Sequence, residues 1–381
     1  MQKSKPKVLL MIKHYLPGHK SGGPVRTISN MVDTLGDSID FNIITSDRDL
    51  GDSHPYENIK TDIWIRTGNA NVKYLSNTPS IISLIKIIKE TPHEIIYLNS
   101  FFDYQFSIKV MIAHALSNSS SKILLAPRGE FSQGALAIKS LKKKIFITLF
   151  NKAYKSIDWH ASSPMESEDI QKVIDPELNK IHIALDLPEN SIKKFEPRAA
   201  LTGSSLKVAF ISRISPMKNL HFAIKTVCQA KGHIDFDIYG PKEDYLYWKK
   251  CELQIGKAPS NINIDFKGAI DNKDVVNTFS KYDIFFFPTL GENYGHVICE
   301  ALTAGTPVLI SDQTPWVELE KNGLGWEAPL DDISYFTKKL DLLCENLEEQ
   351  RRESRKDRHS RLISYICLEK TIGDNIKIFN I

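Results

Sequence analysis

The sequence predicts an α/β protein of two Rossmann-like domains, each built on a parallel sheet. Short apolar runs alternate with helical patterns along the whole chain, the sign of βα units. Its 381 residues exceed one ordinary domain and suit two of roughly 150–200 residues. A first strand series reads at 7–12, 41–45, 63–66, 94–98, 122–126, 157–161 and 180–184. A second reads at 207–212, 236–239, 263–266, 284–288 and 308–311. Between the two, Pro188, Pro197 and Gly203 punctuate an aperiodic, charged stretch, which places a linker at 189–206 between domains at 1–188 and 207–361. Residues 348–361 are dense in charge and read as a solvated helix, and 362–381 regain apolar character.

Composition excludes several classes. The chain is 42% hydrophobic and 25% charged with a net charge of +3, an ordinary soluble balance that argues against nucleic acid as the main partner. Five scattered cysteines without a C-x-x-C pair argue for a reducing compartment and against a zinc site or disulfide framework. The apolar run Val8-Leu-Leu-Met-Ile12 is too short for a signal core or a membrane span. A cytoplasmic location is expected.

The most informative stretch is Glu292-Asn-Tyr-Gly-His-Val-Ile-Cys-Glu300. It follows Asp283-Ile-Phe-Phe-Phe-Pro-Thr289, a buried parallel strand by its composition. Glu292 therefore sits where open α/β sheets bind ligands, beyond a strand's carboxyl end. Apolar residues at 297, 298, 301 and 302 form one helical stripe, leaving His296, Glu300 and Thr303 opposite. Taken alone, Glu300 is equally a solvated helix position and Glu292 an acid favoured by the helix dipole.

A second loop tips the balance. The strand ending at Ser212 runs into Arg213-Ile-Ser-Pro-Met-Lys218 and then a helix from about Asn219. Two cations ahead of a helix N-terminus oppose its dipole, an arrangement that makes sense if an anion lies between them. Arg supplies a planar fork and Lys a point charge, as a diphosphate requires. Gly22-Gly23 before a helix near Val25 is a phosphate-facing loop or a plain turn, and it lacks the G-x-G-x-x-G fingerprint.

The two acids eight positions apart, with Arg213 and Lys218 five apart, resemble the E-x7-E and Arg–Lys motifs of retaining glycosyltransferases of family 4 (glycosyl transferases group 1). The agreement extends through Ala301–Ile310 and covers roughly 207–320. The resemblance implies the GT-B fold, two domains facing across a cleft, and a C-terminal helix at about 362–381 packing back on the first domain. It implies that Arg213 and Lys218 contact the donor diphosphate and that Glu292 with the amides of Asn293, Tyr294 and Gly295 orients the sugar. Glu300 would bind the ribose, Gly240 would turn beside the nucleotide, Ile270 would lie at the base edge, and Gly22 and Gly23 would face the phosphate. Asn219 stands where the family has glycine.

Pro127-Arg-Gly129 resembles the family's Pro-His-Gly turn, with Arg128 at the histidine position; arginine is no base but suits a leaving phosphate or an anionic acceptor. Glu130 either contacts the acceptor or only starts the next helix. The expected activity moves a sugar from a nucleoside-diphosphate sugar to a saccharide or lipid-linked acceptor in bacterial surface polysaccharide synthesis. A sugar-nucleotide epimerase of the same fold and a non-catalytic nucleotide-sugar binder are the alternatives. No cofactor or metal is expected, although Asp47-Arg-Asp49 and Asp235-Phe-Asp237 have D-x-D spacing. Six lysines among the apolar residues of 135–155 mark either a peripheral contact with an anionic membrane or a solvated face. His160 reads as structural, and Ser162 or Ser163 as a helix cap.

Overall fold

A computed structural model describes residues 5–137, 140–197 and 201–381, with backbone alone at 133, 137, 140–142 and 149. The chain divides into unit 1, Met1–Asn190 with Leu368–Ile381, and unit 2, Ser191–Cys367.

Unit 1 carries β1 (Lys7–Met11), β2 (Asp40–Ser46), β3 (Trp64–Thr67), β4 (Ala70–Leu75), β5 (Ile95–Leu98), β6 (Lys122–Leu125), β7 (Asp158–Ala161) and β8 (Ile181–Ile183). They form one sheet in the order β3-β4-β2-β1-β5-β6-β7-β8. Strands buried along their whole length, such as β5 and β7, lie inside the sheet because both faces are covered. The edge is not parallel as expected: β3 runs antiparallel to β4, pairing Thr67 with Ala70 across Gly68-Asn69. A two-residue Gly-Asn turn with Gly68 at φ 55° makes a hairpin the local solution.

One face of this sheet packs on the helix Gly23–Leu35 through Ile28, Met31, Val32 and Leu35, together with Ile378 and Phe379 from the chain's end. The other face buries an aromatic group that includes Phe101, Phe131, Tyr154 and Trp159. The helix Leu368–Lys377 belongs to unit 1, and its Asn375 amide donates to Leu185 O at 2.8 Å.

Unit 2 carries β9 (Leu206–Ile211), β10 (Ile234–Tyr239), β11 (Ile262–Gly268), β12 (Ile284–Phe287), β13 (Val308–Ser311) and β14 (Gly325–Ala328). Their order is β11-β10-β9-β12-β13-β14, all neighbours parallel. Fully buried β12 and β13 are central, whereas β11 alternates exposed residues at the edge, as a half-covered strand must. Parallel strands align their carboxyl ends, so the loops after β9, β10 and β12 share one edge.

The C-terminal boundaries differ from expectation. Two helices, Leu347–Arg352 and Arg355–Ile366, replace a single solvated one, and Arg358 and His359 are buried. Cys367 at φ 44° ends the second helix, because a left-handed residue cannot continue it. Only 368–381, not 362–381, joins unit 1. The stretch read as linker starts unit 2 at Ser191, and Ile192 is buried with its carbonyl accepting from His359 at 2.7 Å; residues 198–200 of that stretch lie outside the described residues. Among the described residues no helix is long and apolar enough to cross a membrane.

Candidate active site

In unit 2 the loops after β9 and β12 are stitched together. Leu290 N and the Thr289 hydroxyl both donate to Met217 O, at 2.8 and 3.1 Å. The Asn219 side-chain amide donates to Pro288 O at 3.0 Å. Asn219 sits at φ 57°, the left-handed region that asparagine tolerates better than most residues, which explains why it stands where the resembling motif has glycine.

This stitching brings Lys218 and Glu292 into a direct ion pair, with the lysine 16% and the glutamate 13% exposed. The Thr289 hydroxyl also lies 3.4 Å from the same carboxylate oxygen. The backbone of Glu292 is fixed separately, its N–H donating to Gln313 O at 3.1 Å. Arg213 stands at the rim, half-exposed, paired with Glu243 at 2.8 Å. Each loop cation thus has a carboxylate partner.

Gly240 draws the loop after β10 onto the same edge. Its φ is 134°, and a Cβ there would lie 1.8 Å from Ser212 O, so only glycine fits. Its N–H donates to Gly268 O at 2.8 Å, and Ile214 N donates to Pro241 O at 2.8 Å. Ile270, two residues beyond Gly268, is half-buried. We predict that Gly240→Ala destabilises the protein by about 2–3 kcal/mol or more through clash and strain. A urea midpoint equal to wild type would contradict this.

Gly295, at φ 79°, starts the helix His296–Thr303, whose first turn has no side-chain cap, an arrangement suited to a sugar oxygen or an anion. Tyr294 is buried against Trp316, whose indole N–H donates to Tyr294 O at 2.6 Å. Asn293 beside it is half-buried. Glu300 is half-buried on the helix, between buried Cys299 and Ala301. Thr303 departs from the expected stripe: it is buried and donates to Cys299 O at 2.8 Å, because its hydroxyl is satisfied by the helix itself.

The D-x-D aspartates are engaged by protein donors. Asp235 accepts from Ser205 and Asp237 from Tyr282 at 2.7 Å. Asp47 pairs with Arg48 at 2.8 Å, and Asp49 accepts from the N–H groups of His19 and Lys20 at 2.7 and 2.9 Å.

In unit 1, Gly22 precedes the helix Gly23–Leu35 at φ 68°, and a Cβ at either glycine would meet open space. Arg128 and Glu130 are placed differently from the sequence reading. Arg128, at φ 54°, is 6% exposed and pairs with buried Asp186. It also donates to Asn99 at 2.8 Å and to the Tyr97 hydroxyl. Asp186 in turn accepts from Thr27 on the first helix at 3.0 Å. The Glu130 carboxylate accepts from Ser100 at 2.7 Å and from Phe102 N at 3.1 Å, and burial pushes its pKa up. Both side chains therefore hold loops together, and Glu130 does not merely begin a helix.

The Tyr97 hydroxyl meets His160 Nδ1 at 2.7 Å, while Nε2 meets Ala184 O at 2.8 Å. A carbonyl only accepts, so Nε2 carries the hydrogen and Nδ1 accepts from the tyrosine. Burial, with Arg128 nearby, pulls this imidazole from 6.5 to about 3. The unfolded chain takes up a proton that the folded one refuses, so His160 contributes stability above pH 6.5 that is lost as pH falls toward 3. Thermal melts of His160→Gln should fall less steeply than wild type between pH 6.5 and 4. Parallel curves would contradict the assignment. Ser163 is the helix cap, accepting from Glu166 N at 3.0 Å.

Sequence reasoning missed Glu243, Trp316, Asp186 and His14. His14 follows β1 directly, at the same kind of strand end that singled out Glu292. It lines a cavity of about 420 Å³ with Lys13, Arg48, Asn77 and Gln105. Its Nδ1 faces Arg48 O at 3.0 Å, and its buried Nε2 has no partner among the described residues.

Residues 191–360 match the family described as Glycosyl transferases group 1. That match lies within unit 2, Ser191–Cys367. A Klebsiella pneumoniae protein described as an uncharacterized 41.2 kDa protein in cps region is 23% identical over 367 residues, covering 92% of this chain and 97% of its own. Anabaena Alr3699/HepE, solved with UDP and glucose, superposes with a TM-score of 0.69 at 13% identity, over 98% of this chain and 99% of that one. WaaG, a glycosyltransferase involved in lipopolysaccharide biosynthesis, gives 0.67 at 13% identity, over 98% and 99%. The fold shared with these glycosyltransferases is GT-B.

Proposed function

We propose that the chain is a retaining glycosyltransferase that moves a sugar from a nucleoside-diphosphate sugar to a saccharide or lipid-linked saccharide in surface polysaccharide synthesis. The observation that carries this reading is the convergence of Lys218 and Glu292 at the carboxyl edge of the unit 2 sheet, within a domain of the glycosyltransferase family.

Lys218 and Arg213 take the diphosphate, and Glu292 exchanges its lysine for the donor sugar's hydroxyls, which a carboxylate accepts strongly. As the bond from the sugar's anomeric carbon to the diphosphate oxygen breaks, negative charge grows on that oxygen, and the two cations stabilise it. The acceptor hydroxyl then attacks from the same face and gives its proton to the departing diphosphate. Two fixed cations supply the charge neutralisation, so the reading requires no metal. Glu300 takes the ribose, and Gly240 and Ile270 border the base.

The acceptor belongs in the unit 1 cavity, where hydroxyl-binding groups surround His14. A peripheral contact with an anionic leaflet through 135–155 is supported by exposed Ile145 and Phe150 on the helix that also exposes Lys144 and Lys152. Lys139 and the Lys142 side chain lie outside the described residues.

UDP sugars are the first donors to try, because the Anabaena neighbour is solved with UDP and glucose. Proton NMR of slow donor hydrolysis should show the released sugar first in the donor's own anomeric configuration. Release with the opposite configuration would overturn retention, and no turnover of any nucleotide sugar would overturn the enzymatic reading.

A further inference from the structure

A second cavity, of about 310 Å³, opens in unit 2 beside Asp283 and Pro307. These residues precede β12 and β13, so the cavity lies at the amino edge of the sheet. The donor loops lie at the other edge, beyond a strand of four residues that spans about 13 Å.

Five cations line this cavity, Arg351, Arg352, Arg355, Lys356 and Arg358, against the carboxylates Asp283 and Glu353. Both carboxylates are already engaged. Asp283 accepts from Arg351 Nε at 2.8 Å and Nη2 at 2.9 Å, and from Lys207 N at 2.9 Å. Glu353 is shared between Arg358 and Arg361.

The remaining positive charge is under-compensated. Among the described residues Arg355 donates only to neutral oxygens, Thr306 Oγ1 at 2.8 Å and Tyr282 O at 2.6 Å, with Asp283 acting on it through space. Burial, with Arg358 alongside, pulls its guanidinium down to about 10. Arg358 is 3% exposed, and its Nε–H has no acceptor among the described residues. Arg352 and Lys356 are exposed at the rim and make no ion pair among the described residues. The positive end of the helix Arg355–Ile366 starts here as well.

Tying the helices together accounts for part of this set. Arg358 Nη1 holds Gly305 O at 2.7 Å, just past the end of the helix that carries Glu300. That role explains neither the idle Nε–H nor the two rim cations. A buried donor without an acceptor, next to a guanidinium whose own hydrogen bonds go to neutral oxygens, is the environment that a multiply charged oxyanion satisfies.

We propose that this cavity is a second anion site that binds a phosphate-bearing ligand, separate from the donor pocket. The phosphate belongs either to a small soluble molecule or to a lipid headgroup, and the two sources are separable.

The test is calorimetric titration of the full chain with inorganic pyrophosphate, using wild type, Lys218→Ala and the rim double variant Arg352→Glu/Lys356→Glu. Lys218→Ala should retain one class of pyrophosphate site. The rim variant, with an unchanged melting temperature, should bind that class about tenfold more weakly or worse. If the source is a headgroup, phosphatidylglycerol vesicles should co-sediment wild type but not the rim variant, with pyrophosphate competing. The proposal is overturned if Lys218→Ala abolishes all pyrophosphate binding and the rim variant matches wild type toward both probes. Neither arm needs transfer activity, so this outcome stands apart from that of the proposed function.

Discussion

Glu292→Gln is expected to lower sugar transfer by about 10²–10³-fold, the scale of removing one preorganised transition-state contact, with nucleoside-diphosphate affinity within about threefold of wild type. The variant keeps the shape and the Glu292 N–H bond to Gln313, so the loop should stay in place. It removes the negative partner of Lys218 and frees that ammonium for phosphate, which offsets any lost contact on the nucleotide side. The loss should therefore appear in kcat with the nucleotide Kd nearly constant. Undiminished transfer would remove Glu292 from the chemistry.

Lys218→Ala is expected to act on binding first. It deletes a charge-assisted contact worth about 1.5–3 kcal/mol, and it leaves the Glu292 carboxylate, 13% exposed, uncompensated beside the incoming phosphates. Both effects weaken the nucleoside diphosphate, for a combined loss of about ten- to a hundredfold in Kd. Combining it with Glu292→Gln should restore part of the affinity, because that carboxylate's repulsion is gone. Calorimetry on the single and double variants measures this, and unchanged affinity in Lys218→Ala would contradict the pocket.

The sequence made the centre of each sheet legible because runs such as Ile284–Phe287 must be covered on both faces. It hid β14, whose Gly-Trp-Glu-Ala has neither an apolar run nor alternation. It hid β4 because Ala70–Leu75 mixes polar residues into a hairpin edge. The meeting of the loops after β9 and β12 was readable since its chemistry is local: cations and acids stand at fixed spacing beyond a strand. Partners supplied from elsewhere in the chain were not. Nothing near Arg128 announces Asp186, 58 residues on, so its buried ion pair was not foreseen when it was read as a cation for a phosphate or an anionic acceptor. The helix Arg355–Ile366 failed for a related reason: charged composition looks solvated, yet Arg358 reaches a backbone carbonyl across the fold. Asn219 shows the converse, a departure in residue type that keeps the left-handed backbone.

The most direct measurement is a crystal structure of the protein soaked with UDP and with a UDP sugar. The diphosphate should lie against Lys218 and Arg213, with the sugar's hydroxyls on Glu292 and the ribose on Glu300. Nucleotide bound anywhere other than the carboxyl edge of β9 and β12, with the Lys218–Glu292 pair intact, would contradict the account.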